Sequence, residues 1–288
     1  MLTPAEVPLT DEEFELFRAL IYAQTGICLR DTKRSLLTAR LMKRMRHYQY
    51  QSFIHYYQHL QNDDPRGDEL QQMINAVTTN KTSFFRESHH FDFLTEHVLV
   101  PARQRASQGT PSSLRLWSAG CSSGEEPYSI AMTILAALER VPAWDIKVLA
   151  SDIDTNILDI ARAGIYPLES VGDLTQRALK QYFLRGSGEH EGFVQVKPAV
   201  KNLVTFARLN LMEEPWPFRG RFDAIFCRNV IIYFDRDSQR RVLERFGRCL
   251  KPGGLFFAGH SENLFWLGEC FEPIGRTAYR VRSERSGG

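Results

Sequence analysis

Acidic side chains follow two predicted strands. In a doubly wound α/β sheet, ligands bind at these positions. Glu125 and Glu126 come after the turn Ala119-Gly120-Cys121-Ser122-Ser123-Gly124, and Asp152 and Asp154 end the next apolar run. An acid at the end of the second strand of a doubly wound sheet can accept hydrogen bonds from the hydroxyls of a ribose. Glutamates beside the glycine turn would repel a pyrophosphate but attract an amino group and a sulfonium. These residues predict an adenosine cofactor of the S-adenosylmethionine type.

Other interpretations of the same residues are structural or belong to another enzyme class. Glycine turns after strands are common in proteins that bind nothing there, and Asp152 or Asp154 can simply cap a helix. An NAD-dependent oxidoreductase would share the fold. It would require G-x-G-x-x-G, which Gly120 and Gly124 do not provide.

The elements that position these residues begin after Pro111, where short apolar runs alternate with helical stretches. This alternation predicts βαβ units and a doubly wound, mainly parallel α/β sheet. The strings FDAIF at 222–226 and LKPGG at 250–254 are typical of class I methyltransferases. The predicted strands are Leu114–Ser118, Ile146–Ala150, Val204–Arg208, Phe222–Cys227 and Leu255–Gly259.

A long connection between the second and third strands predicts a small inserted subdomain at about 165–202. It holds a helical stretch from Leu174 to Leu184, a glycine-rich turn at 185–192 and the alternating run Phe193–Val196. We expect a helix followed by a glycine-turned, two-stranded hairpin. The edge strand of such a hairpin could bind an extended peptide as a further strand.

The N-terminal part of the chain predicts helices alone. Thr10 to Glu13 reads as a capping box, and Gly26 supplies a stop for the first helix. Further helical patterns run over 31–47, 53–60 and 69–77. We predict an all-helical domain at 1–78, a linker at 79–95 that contributes to the active site, and the sheet domain at 96–288.

The second of these helices is strongly basic. Between residues 31 and 46 there are six Lys or Arg residues, and Asp31 is the one acidic residue. The resulting positive electrostatic field favours an acidic partner. A solvated helix face is the alternative interpretation. The predicted substrate-docking residues are Arg40, Lys43, Arg44 and Arg46.

Composition limits the remaining possibilities. The 288 residues include 36 Lys or Arg and 34 Asp or Glu, and the net charge of +2 gives no whole-chain case for nucleic acid or an anionic membrane. The five cysteines lack metal-ligand spacing, so we expect neither a metal site nor a disulfide framework. No basic and apolar leader begins the chain, and no apolar run reaches the roughly 20 residues of a bilayer span. We expect a cytoplasmic protein with no direct membrane insertion.

Five strings, occurring in order, carry a resemblance to a known family. Together they resemble the chemotaxis receptor methyltransferases, the CheR family, from the first helix to about Tyr279. The strings are TTNKTSFFRE at 78–87, GEEPYSI at 124–130, ASDID at 150–154, CRNVIIYF at 227–234 and GHSEN at 259–263.

The resemblance implies a class I methyltransferase domain preceded by an all-helical domain. It implies methyl transfer from S-adenosylmethionine, leaving S-adenosylhomocysteine, to glutamate side chains on the cytoplasmic domain of chemoreceptors. The cofactor contacts that it implies are Asn80, Thr82, Arg86, Glu126, Asp152, Asn210, Leu211, Asn229 and Val230.

The matched strings also suggest which side chains act on the substrate. A glutamate with an ordinary pKa of about 4.3 is already ionised, so no general base is required. Arg86 can orient the carboxylate of the substrate glutamate, and Tyr233 can donate a hydrogen bond from its hydroxyl. We predict both as catalytic residues. Some members of the family hold an aromatic and acidic peptide from the receptor's C-terminus. The residues that we expect to bind such a peptide are Gly186, Gly188, Gly192, Phe193 and Val194.

Two alternative functions are a nucleic-acid methyltransferase and a non-catalytic receptor adaptor. An enzyme that methylates base amino groups typically has Asp/Asn-Pro-Pro-Tyr/Phe, where this chain has Arg228-Asn229-Val230-Ile231. We therefore expect no nucleic-acid partner. A non-catalytic receptor adaptor would have lost the cofactor site, which this sequence retains.

Overall fold

The computed structural model describes residues 8–108, 113–138, 145–262, 264, 266, 268 and 270–282. Residues 1–7, Pro111 and Asn263 of the last matched string lie outside the described residues. Within the described ranges, no helix has both the length and the apolar character needed to cross a membrane.

The N-terminal helices have the expected start and stop signals. The Glu13 amide donates to the Thr10 hydroxyl at 3.2 Å and the Glu13 carboxylate accepts from the Thr10 amide at 3.0 Å, which confirms the capping box. Gly26 ends the helix in a left-handed conformation with φ 72°. The helices of this part are α1 Asp11–Thr25, α2 Arg34–His47, α3 Phe53–Asn62 and α4 Asp68–Val77, with a 3-10 turn at Asp31–Lys33 before α2.

A longer helical stretch connects this part to the sheet. It consists of α5 His89–Leu94, a π-helical turn Thr95–Leu99 and α6 Val100–Ser107. This stretch begins before residue 95, the predicted end of the linker, so the non-helical part of the connection is confined to 78–88.

The main sheet has seven strands within the described residues, in the order β6-β2-β1-β7-β8-β10-β9. The first five are parallel and follow the order of doubly wound sheets, which confirms the predicted fold class. The strands of this sheet are β1 Ser113–Ala119, β2 Asp145–Asp152, β6 Val204–Arg208, β7 Phe222–Cys227, β8 Leu250–Ala258, β9 Phe271–Gly275 and β10 Ala278–Val281.

Two features of the sheet differ from the prediction. The strand predicted to begin at Leu255 starts at Leu250, because Leu250 already pairs with Phe222. The antiparallel strands β9 and β10 were missed, since they are short and β9 contains Pro273, which sequence rules place at sheet edges.

Helices cover both faces of the sheet. Neighbouring strand residues point to opposite sides: Trp117 packs with Phe246, whereas Leu116 packs with Ile130. Both faces of the sheet are therefore buried, and a ligand can reach the parallel strands at their carboxyl ends. The covering helices are α7 Glu125–Leu138, α8 Thr155–Ala163 and α11 Arg236–Cys249.

The inserted subdomain is a three-stranded antiparallel sheet, not a two-stranded hairpin. Its order is β3-β5-β4, so the strand Phe193–Val196 is central and both of its edges are paired. This corrects the expectation that Phe193 and Val194 lie on an edge strand. The elements are β3 Ile165–Pro167, α9 Gln176–Tyr182, β4 Phe183–Arg185, β5 Phe193–Val196 and α10 Pro198–Lys201. The predicted helix 174–184 is thus shortened to α9.

Hydrogen bonds join the helical part to the sheet domain near the carboxyl ends of the parallel strands. Nδ2 of Asn75 donates to the Thr155 hydroxyl at 2.8 Å, and Nδ2 of Asn210 donates to the Gln24 carbonyl at 2.7 Å. The Cys28 amide donates to the Tyr233 carbonyl at 2.8 Å. These bonds hold α4, the end of α1 and the segment after α1 against residues that follow the parallel strands.

Candidate active site

A cavity of about 420 Å³ opens at the carboxyl ends of β1, β2 and β7. Its size is in the range of pockets that hold drug-sized ligands. The structure places every predicted cofactor contact on its wall, and Tyr233 with them; that these residues contact a cofactor stays a prediction. The wall includes Asn80, Thr82, Arg86, Glu126, Asp152, Asn210, Leu211, Asn229, Val230 and Tyr233.

The glycine turn after β1 forms one side of this cavity and requires glycine. Gly120 has φ 76°, and a Cβ there would lie 2.3 Å from Cγ2 of Val230. The amides of Gly120 and Cys121 donate to the Ser151 carbonyl at 2.8 and 2.9 Å. The turn is therefore packed against the loop after β7 and bonded to the end of β2.

Asp152 and Asp154 have different roles. Asp154 caps α8 and accepts hydrogen bonds from Nδ2 of Asn80 at 2.7 Å and from the Thr78 hydroxyl at 2.8 Å. Asp152 accepts from the Ser122 amide at 2.8 Å and the Asp154 amide at 3.0 Å, and it lies on the cavity wall. Each Asp152 oxygen keeps a lone pair, so Asp152, and not Asp154, is placed to bind a ligand.

Burial governs the charge of Asp152. It raises the pKa of this carboxyl above the ordinary value, and the amides of Asp154 and Ser122 oppose the shift. The carboxylate therefore becomes protonated at a higher pH than an exposed aspartate, and the protonated form loses part of its capacity to accept hydrogen bonds.

Glu126 lies at the start of α7 in a buried network. Its carboxylate accepts from the Ser118 hydroxyl at 2.6 Å and from Arg228 at 3.1 Å. Burial raises the pKa of Glu126, while Arg228 opposes the shift. An acid held beside a cavity in this way favours a positively charged ligand group.

Arg228 is a site residue that sequence reasoning missed. It belongs to a matched string but was given no role. Its guanidinium, buried at the end of β7, lies 3.1 Å from Glu126 and 3.3 Å from Glu87, and it also donates to the Arg86 carbonyl. An arginine directly after a buried strand was the signal that could have identified it, because a buried cation requires partners.

Arg86 reaches the cavity from the segment before α5. The residues on either side of Arg86 have unusual backbone conformations. Phe85 and Glu87 have positive φ values of 50° and 55°. The Phe85 amide donates to the Ser129 hydroxyl at 2.9 Å, and Nη1 of Arg86 donates to the Lys81 carbonyl at 3.0 Å. The remaining donors of the Arg86 guanidinium are available to a ligand on the cavity wall.

The four predicted docking residues divide into two kinds. Arg40 donates to the Thr78 carbonyl at 2.8 Å, and Arg44 forms a two-bond pair with the buried Glu69, with Nε to Oε1 at 2.9 Å. Lys43 and Arg46 are exposed and have no ion pair within the described residues. The free charge of α2 therefore lies at Lys43 and Arg46, whereas Arg40 and Arg44 hold the helical part together.

The glycines predicted to bind a peptide lie in the turn between β4 and β5. Gly186 donates to the Phe193 carbonyl at 2.9 Å, and a Cβ at Gly186 would lie 2.0 Å from the His190 carbonyl oxygen. Gly186 is thus required by the turn itself, while Gly188 and Gly192 have open space around them and positive φ.

Comparison with known proteins gives consistent matches along the chain. Residues 80–280 match the CheR methyltransferase SAM-binding domain, and residues 12–78 match the CheR methyltransferase all-alpha domain. The chemotaxis protein methyltransferase of Escherichia coli K12 is 47% identical over 277 residues, which are 96% of this chain and 93% of that protein. Chemotaxis protein methyltransferase 2 of Pseudomonas aeruginosa is 44% identical over 95% of this chain and 94% of that protein.

The cavity fits S-adenosylmethionine, the cofactor of this domain. The carboxylates of Asp152 and Glu126 suit a ribose and a cationic group, and Leu209, Leu211 and Val230 supply apolar wall. Oδ1 of Asn229 is buried and lacks a hydrogen-bond partner within the described residues, so it can accept from a ligand donor.

Replacing Asp152 tests the cofactor site. Asp152→Ala removes a charged hydrogen-bond acceptor and should weaken S-adenosylmethionine binding by about 1–3 kcal/mol, measured by titration calorimetry. The wild-type affinity should also fall as the pH is lowered, beginning above the ordinary aspartate pKa of about 3.9, and Asp152→Ala should lack this component.

The exposed Asp159 on α8 provides the matched control, since Asp159→Ala should leave both affinity and its pH dependence unchanged. A folded Asp152→Ala protein with wild-type affinity would remove Asp152 from the site.

Proposed function

The chain belongs to the CheR methyltransferase family, and from this premise we propose that it methylates glutamate side chains of chemoreceptors in the cytoplasm. The products are γ-glutamyl methyl esters and S-adenosylhomocysteine. One observation carries the proposal: the cavity that holds the cofactor residues is also lined by Arg30 and Lys33 of the helical part, next to the exposed basic helix α2. An acidic substrate is the partner that such a rim favours.

The chemistry requires alignment more than proton transfer. S-adenosylmethionine supplies a methyl group on a sulfonium. The substrate carboxylate is ionised at neutral pH, so the protein needs no general base. Because the opposite charges partly cancel as the methyl group is transferred, the protein gains chiefly by orienting the two groups and excluding water.

Arg86 and Tyr233 are the residues that we propose for this orientation. Arg86 keeps donors free beyond its bond to the Lys81 carbonyl, and a guanidinium suits a carboxylate. Tyr233 ends the 3-10 turn Ile231–Tyr233, and its backbone is held by Cys28 while its side chain lines the cavity. Both positions support contact with a carboxylate that enters beside the cofactor.

The direct test uses the full chain, methyl-labelled S-adenosylmethionine and membranes that contain chemoreceptors. Base-labile label on receptor is the expected result, because a glutamyl methyl ester is cleaved by base. Label on nucleic acid, or base-stable label, would contradict the proposed substrate.

Tyr233→Phe separates a catalytic role from a structural one. Loss of the hydroxyl should lower kcat by roughly tenfold, since one hydrogen bond to the reacting carboxylate is lost. The affinity for S-adenosylhomocysteine should change by less than about twofold, because the aromatic ring stays. Equal kcat values for Tyr233→Phe and wild type would make Tyr233 a purely structural residue.

The free charges of α2 give a second test. The double reversal Lys43→Glu with Arg46→Glu should slow receptor methylation roughly tenfold at low salt and leave cofactor affinity unchanged, because it removes the local field. Methylation rates at several salt concentrations would measure this.

Lys147→Glu is the matched control for each single reversal, Lys43→Glu or Arg46→Glu, since Lys147 is exposed at the opposite end of β2 from the cavity. Reversal of Arg44 is a poorer test because it breaks the pair with buried Glu69 and lowers stability. Rates that respond equally to Lys147→Glu and to the α2 reversals would contradict docking through α2.

We propose that a receptor-tail peptide binds along an edge strand of the small sheet and not along Phe193–Val196. Because Phe193–Val196 is central, a further strand can add only at β3 or β4. The outer face of the small sheet exposes Ile165, Leu184 and Phe193, and Arg185 is exposed at the β4 edge. These side chains support binding of an aromatic and acidic peptide along β4.

Titration of the isolated tail peptide tests this edge. Wild type should bind it, and Leu184→Asp should weaken the binding at least tenfold, because the variant places an acid in the apolar face next to an acidic peptide. Ile160→Asp on α8 is the matched control, since Ile160 and Leu184 are each 48% exposed. If wild type shows no binding at high micromolar peptide, this chain works without the tether.

A further inference from the structure

Glu262 is a buried carboxylate without a cation among the described residues. It is 3% exposed, and the hydrogen bonds that it accepts from described residues all come from backbone amides. Oε2 accepts from Gly259 at 2.5 Å and Asn229 at 2.9 Å, and Oε1 accepts from Val230 at 2.9 Å and Ile231 at 3.0 Å. A single side chain therefore satisfies four amides from two loops.

These amides belong to the loop that forms one wall of the cofactor cavity. Asn229 and Val230 line the cavity, and Tyr233 lies at the end of the same loop. Three consecutive amides can point at one carboxylate only if the chain turns sharply, and Asn229 accordingly has φ 59°. This conformation is unfavourable for a residue with a side chain and needs support from its surroundings.

Close packing against two glycines also limits the position of this loop. Val230 packs on Gly120, where no Cβ would fit. Gly259 lies as close to Asn229, because a Cβ there would be 2.7 Å from Nδ2 of Asn229. A small shift of this loop would therefore displace the glycine turn and change the shape of the cavity.

We propose that Glu262 is a positioning residue for cofactor binding and methyl transfer, acting through the amides of Asn229, Val230 and Ile231. Its carboxylate holds the left-handed turn that places Asn229, Val230 and Tyr233 on the cavity wall. Without it, buried amides lose their acceptors, and the loop must move toward water to satisfy them. The effect on the cofactor does not depend on the proposed receptor substrate.

Glu262→Gln is the principal variant. The amide has the same shape, but its NH₂ group presents a donor where two amides donate. Calorimetric titration of the full chain with S-adenosylhomocysteine should show at least tenfold weaker binding, and hydrogen exchange of the amides at 229–231 should become at least tenfold faster.

Glu69→Gln is the control for loss of a buried carboxylate. Glu69 is also 3% exposed, but it pairs with Arg44 and the Tyr56 hydroxyl within the helical part. We expect Glu69→Gln to lower the unfolding temperature while S-adenosylhomocysteine affinity and exchange at 229–231 stay within twofold of wild type.

Glu262→Asp keeps the charge on a side chain one methylene shorter and serves if the Gln variant does not fold. It should bind S-adenosylhomocysteine at least threefold more weakly than wild type, and more tightly than Glu262→Gln where both can be measured.

Wild-type affinity in a folded Glu262→Gln, or in Glu262→Asp, overturns the proposal. So does weaker binding without faster exchange at 229–231. Absence of receptor methylation by wild type, with cofactor binding intact, would instead contradict the proposed substrate alone.

Discussion

The active site depends on one buried cation. Arg228 lies between Glu126 at the start of α7 and Glu87 before α5, and it donates to the Arg86 carbonyl as well. Taking these charges out of water is costly, and removing either acid would leave Arg228 poorly compensated. The arginine therefore links the end of β7, the first turn of α7 and the segment that carries Arg86. The three walls of the cavity cannot move independently.

Backbone strain is concentrated around this link. Phe85, Glu87, Ser122 and Asn229 all have φ between 50° and 59°, and each belongs to a segment that borders the cavity. Such conformations persist only when neighbouring bonds determine them. Those bonds are present: Phe85 donates to Ser129, Ser122 to Asp152, and Asn229 to Glu262. The strain is thus the consequence of pointing side chains and amides from several elements at one space.

Sequence patterns were sufficient where a local rule applies. The capping box at Thr10 and the parallel strands of the sheet follow from residue types and periodicity, and the structure confirms them. Patterns failed where pairing is decided by distant residues. Nothing local to Phe193–Val196 shows that Ile165–Pro167 covers its second edge. Similarly, Arg228 and Glu262 could be quoted in a string but not assigned, since their partners are remote in sequence.

The basic helix shows why charge composition alone is a poor guide to function. Arg40 and Arg44 contribute to the net charge of α2 as much as Lys43 and Arg46 do, yet the first two are occupied by the Thr78 carbonyl and Glu69. Their bonds fix α4 and the start of the segment that leads to the cavity. A substrate can be attracted only by charge that the fold has left unpaired. Of these four residues of α2, two therefore hold the helical part together, and two present their charge to a substrate that approaches it.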